Sequence, residues 1–162
     1  MSSKVCRVNV GLDTSAARLS GPVGLGYAAG LFDGEGCIHI ARQKKATARR
    51  GHIFRLVVTV AQNHLGTLSD FQNLTGLAGR IYQVRRQGPA NRDSFSLNYD
   101  GNTAAALLDT LLPYLRRKQD EAVVALTFQR DCEITTHFGA KGCPESIWCK
   151  REKLYTKLRS LK

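Results

Sequence analysis

Acid is scarce in this chain. Only 13 Asp and Glu stand against 24 Lys and Arg over 162 residues, a formal charge of +11. A deficit of that size argues against cationic partners and favours a polyanion, nucleic acid first and an acidic membrane surface second. Long apolar runs are also missing. The stretch Val23 to Phe32 is apolar but rich in Gly and Ala, and it is far short of the about 20 residues a membrane span needs. No membrane partner is expected. No apolar segment follows the first basic residues, so no secretory signal is expected; Ser2, Ser3, Lys4 and Arg7 are of the transit-peptide type, with Asp13 against it. The five cysteines (Cys6, Cys37, Cys132, Cys143, Cys149) are odd in number and irregularly spaced, which excludes a disulfide framework. The gap between Cys143 and Cys149 does not suit a tight zinc knuckle, even with His137 near. Free thiols acting as small hydrophobes point to an intracellular, reducing compartment, a prokaryotic cytoplasm or an organelle. No repeat of domain-building length is present. The apolar fraction of 43% supports a packed core in one domain.

Hydrophobic periodicity divides the chain into three parts. Residues 1–21 are polar and aperiodic and read as an N-terminal arm. Residues 22–130 read as the core, and 131–162 as a helical extension of the same domain. Pro22 opens a helix that Gly34 and Gly36 close. Two strands follow, one with Ile38 and Ile40 on one face, the other with Phe54, Leu56, Val58 and Val60. Asn63 is the expected N-cap of a helix carrying Leu65, Leu68, Phe71 and Leu74 and ending at Gly76. Two more strands are expected near 79–87 and 93–100 around the Gly88-Pro89 turn. Helices then cover Ala104–Leu112, about 115–130 beyond the Pro113 break, and Glu145–Leu161. The order α-β-β-α-β-β-α plus further helix is α+β, with a four-stranded antiparallel sheet and helices on one face.

Basic residues collect on that sheet. Arg42, Lys44, Lys45, Arg49, Arg50 and Arg55 fall in one stretch without an acid, and Arg80, Arg85, Arg86 and Arg92 in another. A strand pair fits the major groove of duplex DNA, where polar side chains read base edges and loop cations hold phosphates. Cys37, His39, Ala41, Gln43 and Lys45 are expected on the open face of the first strand, with Arg55, Val57 and Thr59 on the second. Arg80, Tyr82, Arg86, Ser96 and Asn98 are expected from the second hairpin, where Gln83 and Arg85 compete for the same face because a one-residue slip exchanges faces. RNA is a second candidate partner, although its deep, narrow major groove suits this sheet less well.

The opening helix carries Gly26 and Gly30 with Ala29 beside them. Glycine inside a helix costs up to about 1 kcal/mol relative to Ala, so a close backbone approach is the natural reason for it. Asp33 and Glu35 sit at the helix C-terminus, where the macrodipole disfavours acid. Two copies packed through Gly26, Ala29 and Gly30 bring their Glu35 carboxylates together, a hard-oxygen site for Mg²⁺. His39 is assigned to the open face, His52 to a loop and His64 to a helix start; none is assigned as a general base.

The stretch Gly26-Tyr27-Ala28-Ala29-Gly30-Leu31-Phe32-Asp33-Gly34-Glu35-Gly36 resembles the LAGLIDADG motif, and the order of elements and the basic sheet extend the resemblance. The chain is similar to single-motif LAGLIDADG homing endonucleases. The resemblance implies the αββαββα saddle fold, a homodimer joined through the motif helices, and Mg²⁺-dependent cleavage of both strands of a long, nearly palindromic DNA site across the minor groove. It implies that Glu35 is the metal-binding catalytic carboxylate, one methylene longer than the usual Asp, and that Gly34 offers its backbone carbonyl to the metal. Gln62, at the end of the second strand, falls on the residue that positions water. Lys118, in the run Pro113-Tyr114-Leu115-Arg116-Arg117-Lys118-Gln119, falls on the lysine beside the scissile phosphate. Asp33 takes a structural place, and Gly66 stands where some relatives carry a further basic residue. RNA-binding maturases are the alternative activity within the same resemblance.

Overall fold

The computed structural model describes residues 5–8, 21–84, 94–132 and 142–162. Strand β1 (Val5–Val8) precedes helix α1 (Pro22–Glu35), strands β2 (Gly36–Lys44) and β3 (His52–Gln62), and helix α2 (Leu65–Thr75). Strands β4 (Arg80–Val84) and β5 (Ser94–Asp100) follow, then α3 (Gly101–Leu111), a 3₁₀ turn at Leu112–Tyr114, α4 (Gln119–Asp131) and α5 (Glu145–Ser160). The antiparallel sheet runs β1-β4-β5-β3-β2. The four expected strands are all present. A fifth, β1, pairs along β4 from Val5↔Val84 to Val8↔Ile81, so part of the expected arm belongs to the sheet. The Gly88-Pro89 turn, Arg85, Arg86 and His137 lie outside the described residues.

The alternation read in β2 and β3 is what builds the core. Ile38, Ile40, Phe54, Leu56, Val58, Val60, Ile81, Leu97 and Tyr99 are buried on one face. The helices cover that face with Phe32, Leu68, Phe71, Leu107, Leu108, Leu111 and Phe128. Burying each such side chain contributes about 1.5–3 kcal/mol. Helix α3 begins at Gly101, three residues before the expected start, and Pro113 ends it in the short 3₁₀ turn. Helix α2 is capped by His64 rather than Asn63: Thr67 N–H donates to His64 Nδ1 at 3.3 Å. It ends at Gly76 in the left-handed region, φ 67°. Helix α5 docks Trp148 and Leu158 into the core. Trp148 lies 4.8 Å from the His52 ring and 5.2 Å from Phe54, centroid to centroid. His52 is thus the first residue of β3, packed on the helix side, and not a loop residue.

At the junction of α1 and β2 the chain passes from helix to strand within one residue. The Gly36 N–H donates to the Phe32 carbonyl, and a Cβ on Gly36 would lie 2.4 Å from the Phe32 ring and 2.5 Å from that carbonyl. Phe32 is fully buried and has nowhere to go. Gly36→Ala is therefore expected to lose roughly 3 kcal/mol in urea unfolding. Gly34→Ala, whose Cβ meets open space, should change stability far less; equal losses would show that the crowding is absent.

Candidate active site and nucleic-acid face

The end of α1 is tied to the start of α4 by one carboxylate. Asp33 accepts the backbone N–H groups of Arg116 at 2.8 Å, Arg117 at 3.2 Å and Lys118 at 3.0 Å. In return the Lys118 ammonium donates to the Asp33 carbonyl at 2.7 Å. Burial pushes the Asp33 carboxyl up, but the Arg116, Lys118 and Arg117 N–H bonds and the Lys118 charge outweigh it, leaving its pKa below the ordinary 3.8. Lys118 is buried along its length, and its bond to the Asp33 carbonyl holds its head group at the last turn of α1. Both Gly34 and Glu35 are exposed.

Gln62 arrives from the other side. The ladder pairs Gly36 with Val60, so the last residues of β3 run alongside the C-terminus of α1, and Gln62, half-buried, pairs with Phe95 of β5. Glu35, Gly34, Gln62 and Lys118 thus gather at one end of the sheet. Around the Gly66 position, His64 Cε1 stands 2.7 Å from where a Cβ would be; the imidazole fills the space of the missing side chain.

The face of the sheet away from the helices carries most of the expected DNA-binding set. His39, Ala41 and Gln43 of β2, and Arg55, Val57 and Thr59 of β3, alternate with the buried positions. Register resolves the second hairpin: Tyr82 pairs with Ser96 and Arg80 with Asn98, opposite in parity to the buried Ile81 and Leu97. Gln83 therefore takes the Ile81 side. Ser96 Oγ donates to Asn98 Oδ1 at 2.8 Å. Lys45 lies one residue past β2, exposed, its N–H closing the turn on Gly51 O at 2.9 Å.

Two expectations are corrected. Arg50 turns to the helix side, where it ion-pairs with Glu145 and stacks 4.9 Å over the Trp148 ring; the stem of neighbouring Arg49 runs past Gly142. The turn ending at Gly51, φ 70°, swings both away from the open face. Ala29 is fully buried within its own chain and is not available to a partner. The exposed stripe of α1 is Val23, Gly26, Tyr27, Gly30 and Gly34.

Residue types alone left some partners unseen. Asp100 Oδ2 lies 3.0 Å from Arg55 Nη2 and 3.5 Å from Arg80 Nη1. The Cys37 thiol is drawn down to about 7, first by a hydrogen bond with His39, against burial, and then by Lys162, whose Nζ is 3.1 Å from Sγ. Cys37, Cys132, Cys143 and Cys149 are free thiols, and no group of three or more His, Cys, Asp or Glu that could hold a metal exists among the described residues.

A family model described as LAGLIDADG endonuclease matches residues 28–134. The chain belongs to the LAGLIDADG endonuclease family. The matched span runs from the motif helix through α4 and includes every gathered residue named above. No curated protein matches the sequence. Among solved structures, the homing endonuclease I-CvuI, in complex with the I-CreI target and Mg with its DNA uncleaved, is similar at 23% identity and TM-score 0.68, over 85% of this chain and 81% of that one. The archaeal intron-encoded homing endonuclease I-Vdi141I, complexed with DNA, aligns at 15% identity and TM-score 0.67, over 85% and 83%. I-SmaMI, bound to an uncleaved DNA target with calcium ions, aligns at 16% identity and TM-score 0.60, over 85% of this chain but 45% of its own. These likenesses show a shared LAGLIDADG fold.

Asp33 holds this LAGLIDADG site together through its charge, which gives it a pH signature. A carboxyl with a depressed folded pKa contributes fully above its ordinary value of 3.8 and loses that contribution as pH falls through the lower folded value. Asp33→Asn is expected to cost about 1–3 kcal/mol at neutral pH, since an amide cannot accept three N–H bonds as a carboxylate does. The difference from the parent should shrink as pH drops below about 3.8, read as melting temperature against pH. A pH-independent difference would remove the charge from the explanation.

Proposed function

We propose that this chain is one half of a homodimeric, site-specific double-strand DNA endonuclease that requires a divalent cation, with Mg²⁺ as the natural choice. The observation that carries the reading is the exposed stripe of α1, which leads directly to Glu35. Val23 is 77% and Tyr27 57% exposed, large apolar side chains on an otherwise flat ridge. A Cβ at Gly26, Gly30 or Gly34 would meet nothing within the chain. Such a ridge lets two helices approach about a two-fold axis at the short end of the usual 8–10 Å separation. The share of I-SmaMI that is aligned supports the same arithmetic, since that chain is about twice as long as the region shared.

Glu35 and the Gly34 carbonyl offer one carboxylate and one backbone oxygen per chain. That donor set fits Mg²⁺, which commonly takes one or two carboxylates and fills its remaining positions with water and phosphate oxygens. When bound there, the cation supplies Lewis acidity toward a phosphodiester. The chain's own groups do the rest. The open face lays His39, Gln43, Arg55, Thr59, Arg80, Tyr82, Ser96 and Asn98 along the major groove and sets the register. Lys118, fixed by Asp33, places a positive charge beside the phosphate, where developing negative charge is stabilised. Gln62 orients water with its amide. A two-fold dimer matches a nearly palindromic site and delivers one Glu35 to each strand. An RNA-binding maturase is the competing reading, distinguished by preference for RNA and indifference to Glu35.

Two outcomes test this reading. With Mg²⁺ and a duplex selected from a random pool, the parent should make double-strand breaks. Glu35→Gln should cut at background while binding the same duplex in Ca²⁺ with unchanged affinity; undiminished cutting would remove Glu35 from the site. In sedimentation, the parent should be dimeric, and Gly30→Leu should be a folded monomer without double-strand cleavage. A parent that is monomeric with and without DNA would defeat the dimer.

A further inference from the structure

We propose that Asp100 is a positioning residue that locks the Arg55 and Arg80 guanidinium groups on the open face and thereby sets base preference where those arginines reach DNA. The inference rests on the DNA-binding reading above. Asp100 is the one acid in any described strand, and it stands on the face that turns toward a polyanion. In β5 it follows the parity of Ser96 and Asn98, opposite to the buried Leu97 and Tyr99. It pairs across to Val57, which puts Arg55 on one diagonal, and Asn98 pairs to Arg80, which puts Arg80 on the other. Both diagonals are within reach of long side chains. The result is a single oxygen, Oδ2, shared by two guanidinium groups from the flanking strands at 3.0 and 3.5 Å.

A second observation points the same way. Asp100 occupies the N-cap of α3, a place where Asp is favoured because its carboxylate accepts helix N–H groups. Here its side chain makes no cap bond. The carboxylate is directed at the arginines and not at the helix. A stability role is a poor account of that choice, since half-exposed ion pairs contribute little. An affinity role is a worse one, because an acid facing phosphate repels it. Orientation remains. A free arginine on a strand swings to whichever phosphate is near. One pinned by a carboxylate keeps a fixed direction and still has N–H donors left for a guanine edge. Asp100 therefore exchanges indiscriminate affinity for direction, and the triad keeps a net positive charge for the duplex.

The test is selection from a randomised duplex pool by the parent, Asp100→Asn, Asp100→Glu, Arg55→Ala and Arg80→Ala. The two arginine variants identify which base positions those side chains read. Asp100→Asn is expected to lose preference at those positions and keep the rest of the motif. It should also bind unselected duplex roughly 3–10-fold more tightly at low salt, because one repelling charge is gone. Its melting temperature should stay within about 2 °C of the parent, and Asp100→Glu should restore part of the preference. An unchanged motif in Asp100→Asn, with the arginine variants altered, would overturn the assignment while leaving DNA recognition intact. An even loss across the motif with a lowered melting temperature would make Asp100 merely structural and overturn it too. A parent that selects no motif would sink the site-specific reading, and this inference with it.

Discussion

The Asp33 carboxylate is the contact on which the working end of the molecule depends. Helix α1 and the 116–118 segment are more than 80 residues apart in sequence, and hydrophobic packing brings them near without fixing their relative orientation. Three N–H donors converging on one carboxylate do fix it, because hydrogen bonds are directional where apolar contacts are not. Lys118 completes the clasp from the opposite direction through the Asp33 carbonyl. The ammonium is consequently held at the C-terminal turn of α1 by backbone geometry as well as by charge. A lysine free to rotate would sit on Glu35 itself and neutralise the group that the proposed chemistry needs.

The two faces of the sheet divide the labour cleanly because strand alternation is strict over β2 and β3. One face is Ile, Val, Leu and Phe and takes helices α1 to α4; the other is left to residues such as His39, Gln43, Arg55 and Thr59. Helix α5 extends the first function. By burying Trp148 against His52 and Phe54 and pairing Glu145 with Arg50, it anchors the far end of the long β2–β3 hairpin on the helix side. That anchoring explains why Arg50 serves the fold and not the open face, and it stiffens a two-stranded ribbon that alone would be marginally stable.

Much of this was legible in the residues. The alternations at 38–40 and 54–60 gave the strands and their faces together, and the motif GYAAGLFDGEG located the helix, its end and the acid proposed as the metal ligand. What escaped has physical causes. Helix α1 is small or apolar all round, so its sequence does not say which side meets the core; Ala29 faces inward because Phe32 and Ala28 do, and Gly30 faces out. Strand β1 has four residues and owes its existence to pairing with β4, which no local pattern announces. In β4 the apolar residues Ile81 and Val84 fall on opposite parities, and only the register with β5 decided the face. Arg50 depended on the path of a turn. Asp100 closes an expected strand, and only the positions of two arginines on other strands show what its carboxylate holds.

The scarcity of acid also makes sense of the assembly. Asp33 is engaged by backbone donors and Asp100 by arginines, which leaves Glu35 exposed at a helix C-terminus, where the dipole adds to its own charge. In the proposed dimer two such groups approach across a two-fold axis. At an effective dielectric of 20 and about 4 Å, two like charges repel by about 4 kcal/mol, enough to offset one or two well-packed side chains. The apolar ridge of Val23 and Tyr27 must therefore hold the helices together against the very groups they bring into register. A divalent cation held by Glu35 and the Gly34 carbonyl of each chain would offset that repulsion. In the proposed dimer the same carboxylates that oppose association would be the groups that hold the cation, which would tie chemical competence to an assembled pair on DNA.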